Sequence, residues 1–375
     1  MARELVSESV IESNKGIYDD YFNLEYVESL ANNVFSLLDK HYFRSELIGF
    51  DNLPERNNSD APLIYCSNHS GMAFPWDAIV FATALYKKSN GDLSKLIRAL
   101  TAPMLSMSDL MCPYMLPDFW KRCGGIDATM LNFETMMRYP ESNLMIYPEG
   151  VPGIGKGFNN KYKLQRFSTS FLRMSIKYQT DIIPYSTVNG EYINPYSYNN
   201  DSANKVVQKM GMPFLPIGPS TLLVPFQPWA FYFGFPANIT YVMGKRFSPY
   251  KMINKPLEKI KKRELWELRD AIQKQMQAEL DDAVSKYGNR PFDFSTLMSE
   301  LSGNLDKLAY ILPSGWPALF YEHERLFKEH GNDMPPMDFS NFGYLKALFK
   351  NPSSLAFYVP VLGWAYLLGK NKRKS

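Results

Sequence analysis

Cysteine and histidine are both scarce in this chain. Its 375 residues hold three cysteines, Cys66, Cys112 and Cys123, with no C-x-x-C pair and an odd count. That pattern argues against a disulfide framework and a cysteine zinc site, and three reduced thiols are the expectation. Charge of one sign is missing as well: 41 basic residues face 38 acidic ones, a net charge of +3. No global field therefore calls for nucleic acid. No apolar run reaches the roughly 18 residues of a standard membrane span. The opening MARELVSESVIESNKG carries no signal-peptide core, so a reducing, cytoplasmic setting is expected. Aromatic residues, by contrast, are plentiful: 24 Tyr, 25 Phe and 6 Trp make 15% of the chain, beside 19 Met. They suit an apolar ligand channel or a membrane-facing surface, and equally an aromatic core. With 45% hydrophobic and 21% charged side chains the protein can bury a sizeable core, which excludes a disordered role.

Along the chain, Leu30, Val34, Leu37 and Leu38 fall on one face of a predicted helix over residues 24–42, after a cap at Asn23. A loop follows at 50–62, FDNLPERNNSDAP, by its Asn, Asp and Pro content. The short apolar run LIYCS (63–67) then delivers NHSGMAFPWD and a helical stretch, AIVFATALYKK. The same order returns at NLMIYPEG (143–150), followed by helical spacing in Leu164, Phe167, Phe171 and Met174. DIIPYS (181–186) and ITYVMG (239–244) read as further buried strands. Strands alternating with helices predict an α/β sheet with its sites at strand ends. Beyond Pro249 the texture changes to a long charged helix through Leu257, Ile260, Leu265, Leu268, Ile272, Met276, Leu280 and Val284. The expected organisation is thus an N-terminal helical arm (1–44), an α/β domain (45–250) and a helical C-terminal extension (251–375).

Four histidines, His41, His69, His323 and His330, limit the candidates for a general base. His69 directly follows a buried strand, and Gly71 and Pro75 let the loop after it fold back, with Pro75 opening a helix and Asp77 in its first turn. In one continuous helix an eight-residue offset would part the two side chains by about 12 Å, so the loop is required for contact. Folded that way, Asp77 fixes the imidazole tautomer and raises basicity at the other nitrogen. Spacing alone equally admits a core histidine and an aspartate that complements the helix dipole. The second constellation is YPEGVPGIGKGFNNKYKLQRF, where Glu149 and Gly150 end a strand and Lys156, Lys161, Lys163 and Arg166 follow. These cations beside a glycine-rich loop suit an anionic substrate, with a solvated helix face as the competing reading. GVPGIGKG falls short of a P-loop because Gly157 stands where the magnesium-binding hydroxyl is needed. HERLFKEH lacks the zincin spacing, and no nucleophile elbow surrounds Ser70.

Taken together, NHSGMAFPWD, YPEG and DIIPYSTVNG resemble, in order and separation, the three sequence blocks of the PlsC-like lysophospholipid and glycerol-phosphate acyltransferases. The resemblance covers roughly residues 41–250. It implies a mixed, mostly parallel sheet flanked by helices, with His69 matching the catalytic histidine and Asp77 its partner. Glu149 and Gly150 match the acceptor-binding P-E-G element, and Lys156, Lys161 and Arg166 are assigned to substrate binding. The implied reaction is direct acyl transfer from acyl-CoA or acyl carrier protein to a hydroxyl of a lyso-lipid or glycerolipid, with no metal or cofactor beyond the donor. An acyl thioesterase or lipid hydrolase using the same pair, and a non-catalytic lipid-binding protein, are the alternatives. The chain departs from the pattern in three ways. Seven residues part His69 from Asp77 where the family usually has four, Val151 replaces the arginine of P-E-G-T-R, and Met130 stands near an acceptor-phosphate arginine. Peripheral attachment at the cytoplasmic face of a membrane is expected through VPFQPWAFYFGFP (224–236) and SSLAFYVPVLGWAYLLGKNKRKS (353–375). In the latter, Phe357, Tyr358, Trp364 and Tyr366 would lie at the headgroup boundary, beside Lys370, Lys372, Arg373 and Lys374. An apolar tail packed on the α/β domain is the competing reading there.

Overall fold

The computed structural model describes residues 6–72, 74–209 and 214–372. Seven strands form one sheet: β1 (Glu46–Ile48), β2 (Ile64–Ser67), β3 (Ile97–Thr101), β4 (Ile126–Asp127), β5 (Asn143–Ile146), β6 (Ile182–Val188) and β7 (Thr240–Met243). Their order is β1-β7-β6-β2-β5-β3-β4. Every ladder is parallel except β6–β7, so the sheet is mixed and mostly parallel. β2, β5 and β6 are buried along their whole lengths, as strands covered on both faces must be.

Alternation along these strands divides the interior in two. Tyr65, Met145, Ile183 and Tyr185 point into the larger core, while Ile64, Cys66, Leu144, Ile146 and Ile182 point into a smaller one. Among the helices around them are α1 (Leu24–Leu30), α2 (Trp76–Lys88), α3 (Ser170–Tyr178), α4 (Pro219–Leu223), α5 (Lys262–Tyr287), α6 (Trp316–His330) and α7 (Leu362–Lys372), with further helices and turns between. Asn23 caps α1 by accepting from the Tyr26 N–H at 2.9 Å. Leu265, Leu268, Ile272 and Met276 of α5 close the smaller core at three- and four-residue spacing.

Two helix starts differ from the sequence expectation, each because polar groups intervene. Residues 164–169 precede α3 rather than belong to it. The backbone N–H groups of Leu164 and Phe167 donate to Gln277 and Gln273 of α5, and that of Gln165 donates to Glu149. Donors committed elsewhere cannot close a helical turn. α5 itself begins at Lys262, beyond Leu257 and Ile260, where the Glu264 carboxylate accepts from the Lys261 N–H at 2.9 Å.

The arm and the extension share the larger core with the sheet. Tyr26, Leu30 and Phe35 pack with Trp76 of α2 and with Trp316, Leu319 and Phe320 of α6. The Tyr26 hydroxyl donates to Glu324 at 2.9 Å, and Arg122 pairs with the same carboxylate. Beside them His323 is fully buried, with Nε2 2.8 Å from the Ser29 hydroxyl, and burial pushes its pKa down to about 4.

The C-terminal segment is only partly free. Phe357 is fully buried, Tyr358 is only partly exposed, and the Trp364 indole donates to the Val224 carbonyl at 2.7 Å. Phe357 and Trp364 are therefore held against the α/β domain instead of standing at the surface, because the indole N–H and the rings find better partners there. Val361, Leu362 and Tyr366 remain exposed. Lys372, Arg373 and Lys374 are expected to contribute charge, but their side chains lie outside the described residues. Among the described residues no helix is long and apolar enough to cross a membrane.

Candidate active site

β2 ends at Ser67 and hands the chain to a loop whose geometry depends on one glycine. Gly71 sits at φ +97°, a left-handed conformation in which any added Cβ would also meet the Gly190 carbonyl at 3.6 Å. The chain then turns into α2, with Pro75 as the residue before the first helical position rather than the first itself. Its carbonyl accepts from Ala78 and Ile79, and its missing N–H leaves nothing unsatisfied. This fold-back brings His69 Nδ1 to 3.0 Å from Asp77 Oδ2. The same carboxylate oxygen accepts the Ser70 N–H at 3.1 Å, and Asp77 is completely buried. A carboxylate only accepts, so Nδ1 carries the proton and Nε2 keeps its lone pair. No described residue hydrogen-bonds Nε2, and His69 lines the main cavity.

Glu149 is a strut between two loops. Its Oε1 accepts the His69 N–H at 3.0 Å and its Oε2 accepts the Gln165 N–H at 2.5 Å. Burial raises its pKa. Gly150 follows at φ +62° and ψ −152°, a region only glycine enters at ease, and opens the single turn Val151–Ile154. The backbone N–H groups of His69 and Ser70 are both engaged by carboxylates, so neither is available to an oxyanion.

The cations expected beside Glu149 do not act together. Lys156 is buried 3.4 Å from Glu191, both side chains 2% exposed, and it does not line the cavity. A buried ammonium needs an opposite charge, and Glu191 supplies it, so the structure places Lys156 against that carboxylate and not on the cavity wall. Lys161 lies over the Phe158 ring at 5.0 Å and is also off the cavity wall. Arg166 alone reaches the cavity, where it also borders a shallow outer groove with Arg269 and Asp270.

The cavity has a volume of about 1230 Å³. Pro75, Ala78, Ile79, Ala82 and Tyr86 form one wall along a single face of α2, opposite Val27, Leu30 and Phe35 of the arm. Sequence reasoning missed that the arm walls this space, since nothing in its amphipathic spacing says what the apolar face will cover. It also missed Tyr147. That ring stacks on the His69 imidazole with centroids 3.8 Å apart and planes 9° from parallel. Alternation along β5 held the signal: Met145 faces the larger core, so Tyr147 does too. Among the described residues there is no cluster suited to a metal ion.

Residues 44–188, which hold His69, Asp77 and Glu149, match the Acyltransferase family model. Over 203 residues the chain is 26% identical to an uncharacterized protein of Mycobacterium tuberculosis, covering 54% of this chain and 51% of that protein. An uncharacterized protein of Mycobacterium leprae is 25% identical over 231 residues, 60% of this chain and 58% of that one. The chain thus spans about half the length of the curated relatives it matches. Among solved structures it is similar to the crystal structure of the 1-acyl-sn-glycerophosphate (LPA) acyltransferase, PlsC, from Thermotoga maritima. That match has 14% identity and a TM-score of 0.38, covering 68% of this chain and 79% of the other.

Proposed function

We propose that this protein moves a fatty acyl group from an acyl thioester, acyl-CoA or acyl carrier protein, to a hydroxyl of a lyso-lipid or glycerolipid. The observation that carries the reading is the His69–Asp77 pair on the wall of a largely apolar cavity, with Nε2 unengaged. His69 takes the acceptor's hydroxyl proton as its oxygen bonds to the thioester carbonyl carbon. When the C–S bond breaks, the same proton passes to the leaving thiolate. Asp77 holds the imidazole in the required tautomer and balances the imidazolium while it exists. The acyl chain lies along α2, where the eleven steps from Pro75 to Tyr86 span about 16 Å. At about 1.2 Å per bond, taken from three backbone bonds per ~3.5 Å of extended chain, that length holds a dozen or so carbons.

The test is product formation from a radiolabelled acyl thioester with and without a lyso-lipid. Ester product that requires the acceptor supports transfer, and release of free fatty acid at the same rate without acceptor replaces it with hydrolysis.

The reading extends to attachment at the cytoplasmic face of a membrane, without a span. Leu222, Leu223 and Phe226 are exposed beside Val361 and Leu362 of the C-terminal segment, and the Val361 N–H donates to the Phe226 carbonyl at 3.2 Å. Thr221 and Val224, between these exposed residues, line the cavity, so the apolar patch rims its mouth. A lipid surface seated there delivers acceptors directly. Leu222→Glu combined with Leu362→Glu is expected to abolish flotation with anionic liposomes while the melting temperature holds. Undiminished flotation of that folded variant would reject the patch as the docking surface.

A further inference from the structure

The cavity wall also carries polar groups, the polar lobe, that hydrophobic contact does not explain. Gly150, Val151, Ile154, Leu215 and Pro216 line it together with Asn194 and Ser220. Asn194 is 1% exposed, yet neither its Oδ1 nor its Nδ2 has a hydrogen-bond partner, and the Ser220 hydroxyl, 6% exposed, has none either. Other buried side-chain atoms also lack partners, but these three line a cavity, where a ligand can meet them. The position is adjacent to the chemistry. The turn Gly190–Ile193, immediately before Asn194, packs on the His69 loop, with the Gly190 carbonyl and Ile193 both close to Gly71.

The charges around this lobe constrain what enters. Among the described residues lining the cavity, Arg166 is the sole lysine or arginine, and it is exposed at the junction with the outer groove. Lys156 is committed to Glu191. Val151 and Met130 on the wall are apolar, and Glu149 lines the same cavity. A phosphate monoester is dianionic and, when ionised, accepts hydrogen bonds without donating. It would meet Asn194 Oδ1 and Glu149 with no cation inside to balance it. A pair of hydroxyls, by contrast, donates to Asn194 Oδ1 and accepts from Nδ2 and the Ser220 hydroxyl.

We propose that Asn194 and Ser220 form the acceptor headgroup subsite, and that it takes an uncharged headgroup with neighbouring hydroxyls, such as the glycerol of a monoacylglycerol, in preference to a phosphate monoester. This rests on the transfer reading above and names its acceptor class.

Binding is measured by calorimetry on the full chain carrying His69→Ala, which separates recognition from turnover. The probes are a short-chain monoacylglycerol and the lysophosphatidate of equal chain length. The monoacylglycerol is expected to bind more tightly. Ser220→Ala weakens it about tenfold, the effect of one lost buried hydrogen bond, and Asn194→Leu separately weakens it at least as much, since two are lost. Lysophosphatidate affinity changes little, and the ligand-free melting temperature stays level or rises, since an unmet polar group has gone. A structural role for these side chains would instead lower it. Tighter lysophosphatidate binding, no binding of either lipid, or monoacylglycerol affinity unchanged in both variants overturns the proposal. If the binding pattern holds while the unmutated chain forms no ester, the subsite stands and the transfer reading fails.

Discussion

His69→Ala is expected to lower acyl transfer by about 10² to 10⁴, the usual contribution of a positioned general base, while the protein stays folded. The loss should fall on kcat. His69 touches the surrounding structure through three contacts: its N–H to Glu149, its Nδ1 to Asp77 and its ring on Tyr147. The backbone bond survives the substitution. The side chain leaves a space already open to the cavity, so no sealed void forms and the melting temperature should fall little. Single-turnover rates with acyl-CoA and an acceptor lipid, beside a thermal melt, decide the matter. Transfer within tenfold of the unmutated enzyme in a folded variant would remove His69 from the mechanism.

Asp77→Asn should be nearly as severe, at about 10² or more in kcat, for a different reason. Asp77 does not line the cavity and touches neither substrate, so the Michaelis constants of donor and acceptor should hold. What changes is the hydrogen-bond logic. Oδ2 receives two donors, His69 Nδ1 and the Ser70 N–H. An amide oriented with its oxygen toward them keeps both contacts but loses the charge that balances an imidazolium. Oriented the other way, it confronts two donors with a third and forces the other tautomer, placing the proton on Nε2 where the lone pair is needed. Either orientation slows proton transfer without disturbing binding. An unchanged kcat would reduce Asp77 to a group that closes the start of α2.

The sheet and the His69–Asp77 contact were legible because each follows from local patterns. Short apolar runs bounded by Gly, Pro and Asn marked β2, β5, β6 and β7, and Gly71 with Pro75 permitted the fold-back that joins residues eight apart. What sequence reasoning missed or misjudged depends on partners distant in the chain. Lys156 reads as one of four loop cations until Glu191, thirty-five positions later, is found beside it. Glu149 reads as a substrate ligand, whereas its oxygens answer two backbone N–H groups from different loops. Phe357 and Trp364 have the composition of an interfacial anchor, and only the tertiary fold shows one inside the core and the other on Val224. Composition ranks such residues by what they can do, and long-range packing decides which possibility is used.

The meeting of Phe35 with Phe320, ring centroids 5.9 Å apart, and of Tyr26 with Glu324 ties the wall of the cavity to a helix far along the chain. During translation the arm emerges first and waits for nearly three hundred residues before its partner leaves the ribosome. Until then its apolar face is covered only in part, by Trp76 and Phe119, and the wall beside His69 lacks its outer support. A nascent chain that already holds the His69–Asp77 pair would therefore have an unbraced cavity beside it. The enclosed space is completed late and all at once, so a chain stalled before α6 carries the pair without a finished wall.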